Sequence, residues 1–164
     1  MIYQSMSGDA ALGDASFTMN GGSLTSKNGD LFYVTNTNCD ITLSDVSLTL
    51  ANDNLLTVAG NDSSRGWGTK GSNGGNVNFV AESQTMKGNI TCDSISTLNM
   101  TMKDGTNFNG TINTAGAAGT VSVTIDADST WTLTGDSYVT SFDGDLTNVN
   151  TNGYHLYVNG EQVA

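Results

Sequence analysis

Apolar triplets recur along this chain at sequence offsets between 21 and 24, and that repeat constrains the fold more than any other feature. Phe17, Met19 and Leu24 precede Ile41, Leu43 and Leu48 by a constant offset, 41 − 17 = 24. Val77, Phe79 and Ala81 precede Leu98, Met100 and Met102 by 21. Met86, Gly88 and Ile90 precede Phe108, Gly110 and Ile112 by 22. Leu98, Met100, Met102 and Phe108 precede Val121, Val123, Ile125 and Trp131 by 23. The interval from Ile41 to Val77 is 36, but it contains a Gly-rich segment, 61–75. Taking that segment out leaves 36 − 15 = 21, so the register resumes after one insertion.

Within each repeat, apolar and polar residues alternate, as in half-buried strands. A unit of this length cannot bury its apolar face alone, so successive copies must stack. Leucine-rich repeats share the period but need a Leu/Asn framework and a helical segment that this chain lacks. Composition also opposes helix. Of 16 acidic residues only Glu82 and Glu161 are Glu, and the rest of the chain is rich in Thr, Asn, Ser and Gly, which favour strands and turns. Gly and Asn suit tight corners because both tolerate positive φ. Proline is absent, as expected where every interior coil must donate to a ladder. The expected fold is all-β: one single-stranded, right-handed parallel β-helix domain over 1–164, of about six or seven coils. Its inward columns would stack Phe17, Ile41, Val77, Leu98 and Val121 on one face, and Met86, Phe108 and Trp131 on another.

The net charge is −11, with only Lys27, Lys70, Lys87, Lys103 and Arg65 as cations. Nucleic-acid binding needs a basic stripe that five scattered cations cannot form. No apolar run reaches the ~20 residues of a membrane span, so membrane insertion is not expected. The first residues, Met1-Ile2-Tyr3-Gln4, lack the basic and apolar regions of a signal peptide. The chain therefore reads as a mature protein or as a segment cut from a larger one. An acidic, Asn/Thr-rich and Lys-poor surface suits an exported bacterial protein, extracellular or held at the cell surface.

Catalytic signals are weak. His155 is the one histidine, so neither a Ser-His-Asp set nor a His metal cluster is distinctive. Many Asp offer accidental carboxylate pairs of glycosidase type, and a lyase or glycosidase is the minor alternative to a non-catalytic module. The insertion is the best candidate binding segment, because Asp62, Arg65, Trp67 and Lys70 combine an aromatic face for a sugar ring with partners for its hydroxyls. No cofactor is required, although calcium is a candidate ligand of the Asp126/Asp128 and Asp143/Asp145 corners. Ice binding needs Thr in the same place on successive coils. Thr130, Thr132 and Thr134 form a row, but the positions 23 earlier are Asn107, Asn109 and Thr111. Cys39 and Cys92 occupy inequivalent places in the repeat and read as two buried free thiols.

The runs 129–141 (STWTLTGDSYVTS) and 152–160 (NGYHLYVNG) resemble the closing coils of right-handed β-helix domains in clostridial cell-surface proteins. The run 93–102 (DSISTLNMTM) and the Arg65-Gly-Trp-Gly segment are similar to the same group. These domains are related to a carbohydrate-binding β-helix family whose described member type binds pectin-like acidic polysaccharide with calcium. The resemblance implies a cell-surface module with a polysaccharide or host-glycan partner, and a chain that is the C-terminal portion of a larger solenoid; it maps no binding residue onto this chain. A structural stalk or adhesin segment without a glycan ligand is the competing reading. An open N-terminal coil, beginning with Met1-Ile2-Tyr3, would allow head-to-tail self-association. At the other end, Tyr154–Val158 reads as a last strand and Asn159-Gly-Glu-Gln as a polar stop.

Overall fold

The computed structural model describes residues 1–4, 12–61, 69–116 and 119–164, with the side chains of 2–4 outside that description. The described chain winds into a parallel β-solenoid of about six turns. After β1 (Ile2–Gln4), the first coil runs through β2 (Gly13–Asn20), β3 (Ser23–Thr25) and β4 (Phe32–Thr35). The second runs through β5 (Thr37–Ser44), β6 (Ser47–Thr49) and β7 (Asn54–Val58). The next two coils pair β8 (Asn76–Glu82) with β9 (Thr85–Cys92), and β10 (Thr97–Lys103) with β11 (Asn107–Ile112). The fifth holds β12 (Thr120–Ile125), β13 (Thr130–Leu133) and β14 (Ser137–Val139). The sixth holds β15 (Ser141–Asp143), a 3₁₀ turn (Leu146–Asn148) and β16 (Val149–Asn150), followed by β17 (Leu156–Val158) and β18 (Glu161–Gln162).

Two long parallel sheets form the walls. Sheet A stacks β1-β4-β7-β9-β11-β13-β16, and sheet B stacks β2-β5-β8-β10-β12-β15. Each coil lays one strand in sheet B and a later one in sheet A, so neighbouring strands in a sheet are one repeat apart in sequence. The repeat offsets are the pairing register: Phe17 pairs with Ile41, Leu24 with Leu48, Val77 with Leu98, Met86 with Phe108, and Phe108 with Trp131.

One expected pairing is corrected. Val77 pairs with Cys39, and Ile41 pairs with Phe79, so the interval across the insertion is 79 − 41 = 38 rather than 36. A shift of two positions leaves the same face of a strand inward, so apolar alternation alone does not distinguish the two registers. The inward columns of sheet B are Ala15, Cys39, Val77, Leu98 and Val121; Phe17, Ile41, Phe79, Met100 and Val123; and Met19, Leu43, Ala81, Met102 and Ile125. From the second coil onward every member of these columns is buried. Cys39 and Cys92 are both buried and free.

The corner from sheet B to sheet A carries a buried polar ladder. Gln84, Thr106 and Ser129 each stand one residue before a strand of sheet A, and all three are buried. Gln84 N–H donates to Thr106 Oγ1 at 3.1 Å, and Thr106 N–H donates to Ser129 Oγ at 3.0 Å. Backbone groups that leave the sheet ladder at this bend are thereby satisfied from the next coil.

The same corner changes size along the axis. The chain passes from sheet B to sheet A through 21–31 in the first coil and 45–53 in the second, and these segments pair as β3 with β6. In the third coil the connection shrinks to Ser83 and Gln84. The Leu24, Leu48 column therefore ends at Leu48, and the solenoid steps inward beyond it.

Candidate functional site: a groove at the step between coils

The step creates two adjoining depressions of about 590 and 550 Å³, which share Leu48, Lys87 and Asn109. One wall is the 45–53 turn, contributing Asp45, Ser47, Leu48, Thr49, Leu50 and Asp53. The other is the outer face of sheet A, with Thr85, Lys87 and Asn89 of β9 and Asn109 of β11. Alternation along β9 fixes this geometry. Met86 and Ile90 point into the core, so Lys87 points out.

Glycine sets the closeness of the two walls. Gly88 has φ +121, and a Cβ there would lie 2.8 Å from Leu50 Cδ1 and 2.9 Å from the Asp53 carbonyl oxygen. The 45–53 turn is also bonded to the sheet, through Asn89 N–H to Asp53 O at 2.6 Å. Leu48 and Leu50 are half-buried against the core, so the groove has an apolar edge on an otherwise polar lining.

The polar groups are presented in register. Lys87, Asn109, Thr132 and Asn150 occupy one outward column across four strands, at the ~4.8 Å spacing of a sheet. Beside it, Thr111 Oγ1 donates to Asn89 Oδ1 and Thr130 Oγ1 donates to Asn107 Oδ1, each at 2.7 Å. These contacts hold the amides in fixed orientations. Among the described residues, Lys87 makes no ion pair, whereas Lys103 is bound to Glu82 at 2.7 Å.

Of the residues singled out in the insertion, Asp62, Arg65 and Trp67 lie outside the described residues. Lys70 is exposed in a turn and does not line the groove. The insertion joins β7 to β8 at the corner from sheet A to sheet B, the opposite corner from the step. Its ends are fastened there: Gly60 N–H donates to Asp93 Oδ2 at 2.6 Å, and Asn36 N–H donates to Asn73 O at 2.9 Å.

One carboxylate of each Asp corner accepts turn bonds. Asp126 Oδ2 accepts from Asp104 N–H at 2.7 Å, and its Oδ1 accepts from Asp128 N–H at 3.2 Å. The Ser129 hydroxyl, then the Asp104 N–H, holds the Asp126 carboxyl below its ordinary range. Asp145 caps the 3₁₀ turn, and the Thr147 N–H and hydroxyl likewise lower its carboxyl. Among the described residues, no group of three or more His, Cys, Asp and Glu side chains is arranged to hold a metal. His155 Nδ1 lies 3.2 Å from Asp136 Oδ1 on the last coil, beside the stacked Tyr138 and Tyr157.

In the sequence Leu48 stands out only as a repeat anchor and Lys87 only as one of five cations, and neither they nor Asn109 are marked as site residues. Their signal is the drop in repeat offset from 24 to 21 where no apolar partner follows Leu48. Comparison with protein-family models, with curated proteins and with solved structures found no match for this chain.

Proposed function

We propose that this chain is a non-catalytic, extracellular β-helix module that binds polysaccharide at the bacterial cell surface, with the step groove as its binding site. The observation that carries this reading is the pairing of an apolar edge, Leu48 and Leu50, with hydroxyl, amide and ammonium groups at Thr49, Thr134, Asn89, Asn109 and Lys87. Sugars present apolar C–H faces and a rim of hydroxyls, and a site for them combines both surfaces. The strand spacing along the Lys87, Asn109, Thr132, Asn150 column is close to the length of one pyranose unit in an extended glycan. Asp45 and Asp53 are exposed, which suits hydrogen bonding to hydroxyls better than general-acid chemistry in an enclosed cleft. The resemblance to clostridial surface domains supports polysaccharide as the broad class of partner, without its charge.

A glycan array tests the reading, run with the wild type and with a Lys87→Ala/Asn109→Ala variant. Two lost hydrogen bonds at ~1 kcal/mol each should weaken binding by at least about tenfold. A stalk or self-assembling segment without a glycan ligand is the alternative. It draws on β2, which is eight residues long and, among the described residues, terminal in its sheet. A silent array together with concentration-dependent sedimentation would select it.

A further inference from the structure

We infer that the groove takes a neutral polysaccharide and rejects polyuronates, an assignment that rests on the carbohydrate-binding reading and narrows it. The charges lining the groove are Asp45, Asp53 and Lys87, two negative against one positive. All three are exposed, so none is neutralised by burial in an ion pair. A polyuronate laid along the outward column would bring one carboxylate per sugar, at about the spacing of the strands. One of these could meet Lys87. The next would face Asn109, which lines one depression with Asp53 and the other with Asp45.

The surrounding field has the same sign. The chain carries −11 overall, and the outward face of sheet B displays Asp14 and Asp40, while Glu82 on that face is paired with Lys103. An anionic polymer is therefore repelled on approach as well as in the groove. Calcium would offset this only by bridging two or more carboxylates. Asp45 and Asp53 stand at opposite ends of the 45–53 turn and line different depressions, Asp45 the one beside Gln84 and Asp53 the one beside Gly88. They are not presented together to one cation. What the lining offers in abundance is amide and hydroxyl groups, the partners of uncharged sugar hydroxyls. Lys87 then serves as a hydrogen-bond donor to a hydroxyl or ring oxygen rather than as a counter-ion.

The test compares polygalacturonate with its carboxyl-reduced, neutral counterpart of the same linkage, alongside neutral glucan and mannan oligomers, in calcium and in EGTA. The expected result is that at least one neutral polymer binds, that polygalacturonate binds at least about tenfold more weakly, and that EGTA changes nothing. Neutral binding should also change by less than about twofold between low and high salt, because no ion pair is made. Lys87→Ala/Asn109→Ala should weaken neutral binding by at least about tenfold. Polyuronate binding that matches or exceeds the neutral polymers and is lost in this variant would overturn the neutral assignment while leaving the groove as the site. Binding of no polymer under any condition would overturn both the assignment and the carbohydrate reading beneath it.

Discussion

The indole nitrogen of Trp131 donates a 3.0 Å hydrogen bond to the carbonyl of Gly110 in the preceding coil, and its ring stacks on Phe108 with centroids 5.9 Å apart. Trp131 is completely buried, so this bond satisfies the one polar group on a large apolar side chain. The packing around this carbonyl also needs Gly110 to be bare. A Cβ there would collide with the Gly88 carbonyl oxygen and lie 2.5 Å from Phe108 Cε2. Gly110→Ala should therefore cost more than the ~1–3 kcal/mol usual for overpacking, because backbone stands in the way. Trp131→Phe should cost about 1–3 kcal/mol from the unpaired carbonyl, plus a term for the lost volume. Urea titration with an unchanged slope would measure both, and a Gly110→Ala protein as stable as wild type would refute the packing argument.

Gln84 carries the step at the base of the groove. Its Oε1 accepts from Val46 N–H at 2.9 Å, and its Nε2 donates to Val46 O and Thr85 O, each at 2.7 Å. This side chain ties the start of the long second coil's turn to the short third coil, as the Asn89–Asp53 backbone bond ties its end. Gln84→Met keeps the volume but strands both backbone groups of Val46, for an expected loss of about 2–4 kcal/mol. Hydrogen exchange should report faster opening at Val46 than at Phe79 in this variant. Equal protection at both amides would mean that the turn is held by other contacts.

The register is legible in the sequence because like residues stack on like. Offsets of 24, 21, 22 and 23 read from Phe17, Val77, Met86 and Leu98 are the pairings of the folded chain. The error of two at Cys39 and Val77 arises from leaving cysteine out of the inward anchors, although it buries as readily as valine. The groove is not legible in the same way. It comes from what the third coil omits, and from the outward side of β9, where Lys87 follows no repeat. The closing turn is readable but passes as a polar stop. Asn159 and Gly160, with φ +50 and +84, are the Asn-Gly pair of a type I′ hairpin.

The two thiols give a pH test of burial. Burial, then the neighbouring Asp40 charge, pushes Cys39 up from 9.0 to about 11, and burial, then Asp93, pushes Cys92 up to about 12. Unfolded thiols ionise first, so the stabilising contribution is complete below pH 9 and is lost as pH rises through about 11 to 12. The native protein at pH 8 should not react with a thiolate-seeking reagent, and both cysteines should react once it is denatured. Above pH 9 the urea midpoint should fall, and a Cys39→Ala/Cys92→Ala variant should fall less steeply. Rapid labelling of the native protein at pH 8 would contradict the burial.

The last prediction concerns β17 and the segment 159–164. Every other pairing described in the solenoid is parallel, but β17 pairs with β18 antiparallel, Tyr157 opposite Gln162 and Val158 opposite Glu161. Leu156 N–H donates to Ala164 O and Val163 N–H donates to Leu156 O, each at 2.9 Å. The hairpin thus occupies backbone groups of β17 that would otherwise form an open sheet edge. It also places charged Glu161 on that edge, a feature that discourages edge-to-edge pairing. Beneath it, Tyr138 and Tyr157 stack with centroids 4.5 Å apart and rings within 5° of parallel, so a bare β17 edge would display an ordered aromatic ladder. Truncation after Val158 should leave circular dichroism and the core largely intact while producing aggregation that rises with concentration. Gly160→Val, which forces a β-branched residue to φ +84, should show a milder form of the same defect. Light scattering on the three proteins at matched concentrations decides the matter. A truncated chain that stays monomeric would show that the hairpin is dispensable as an edge guard.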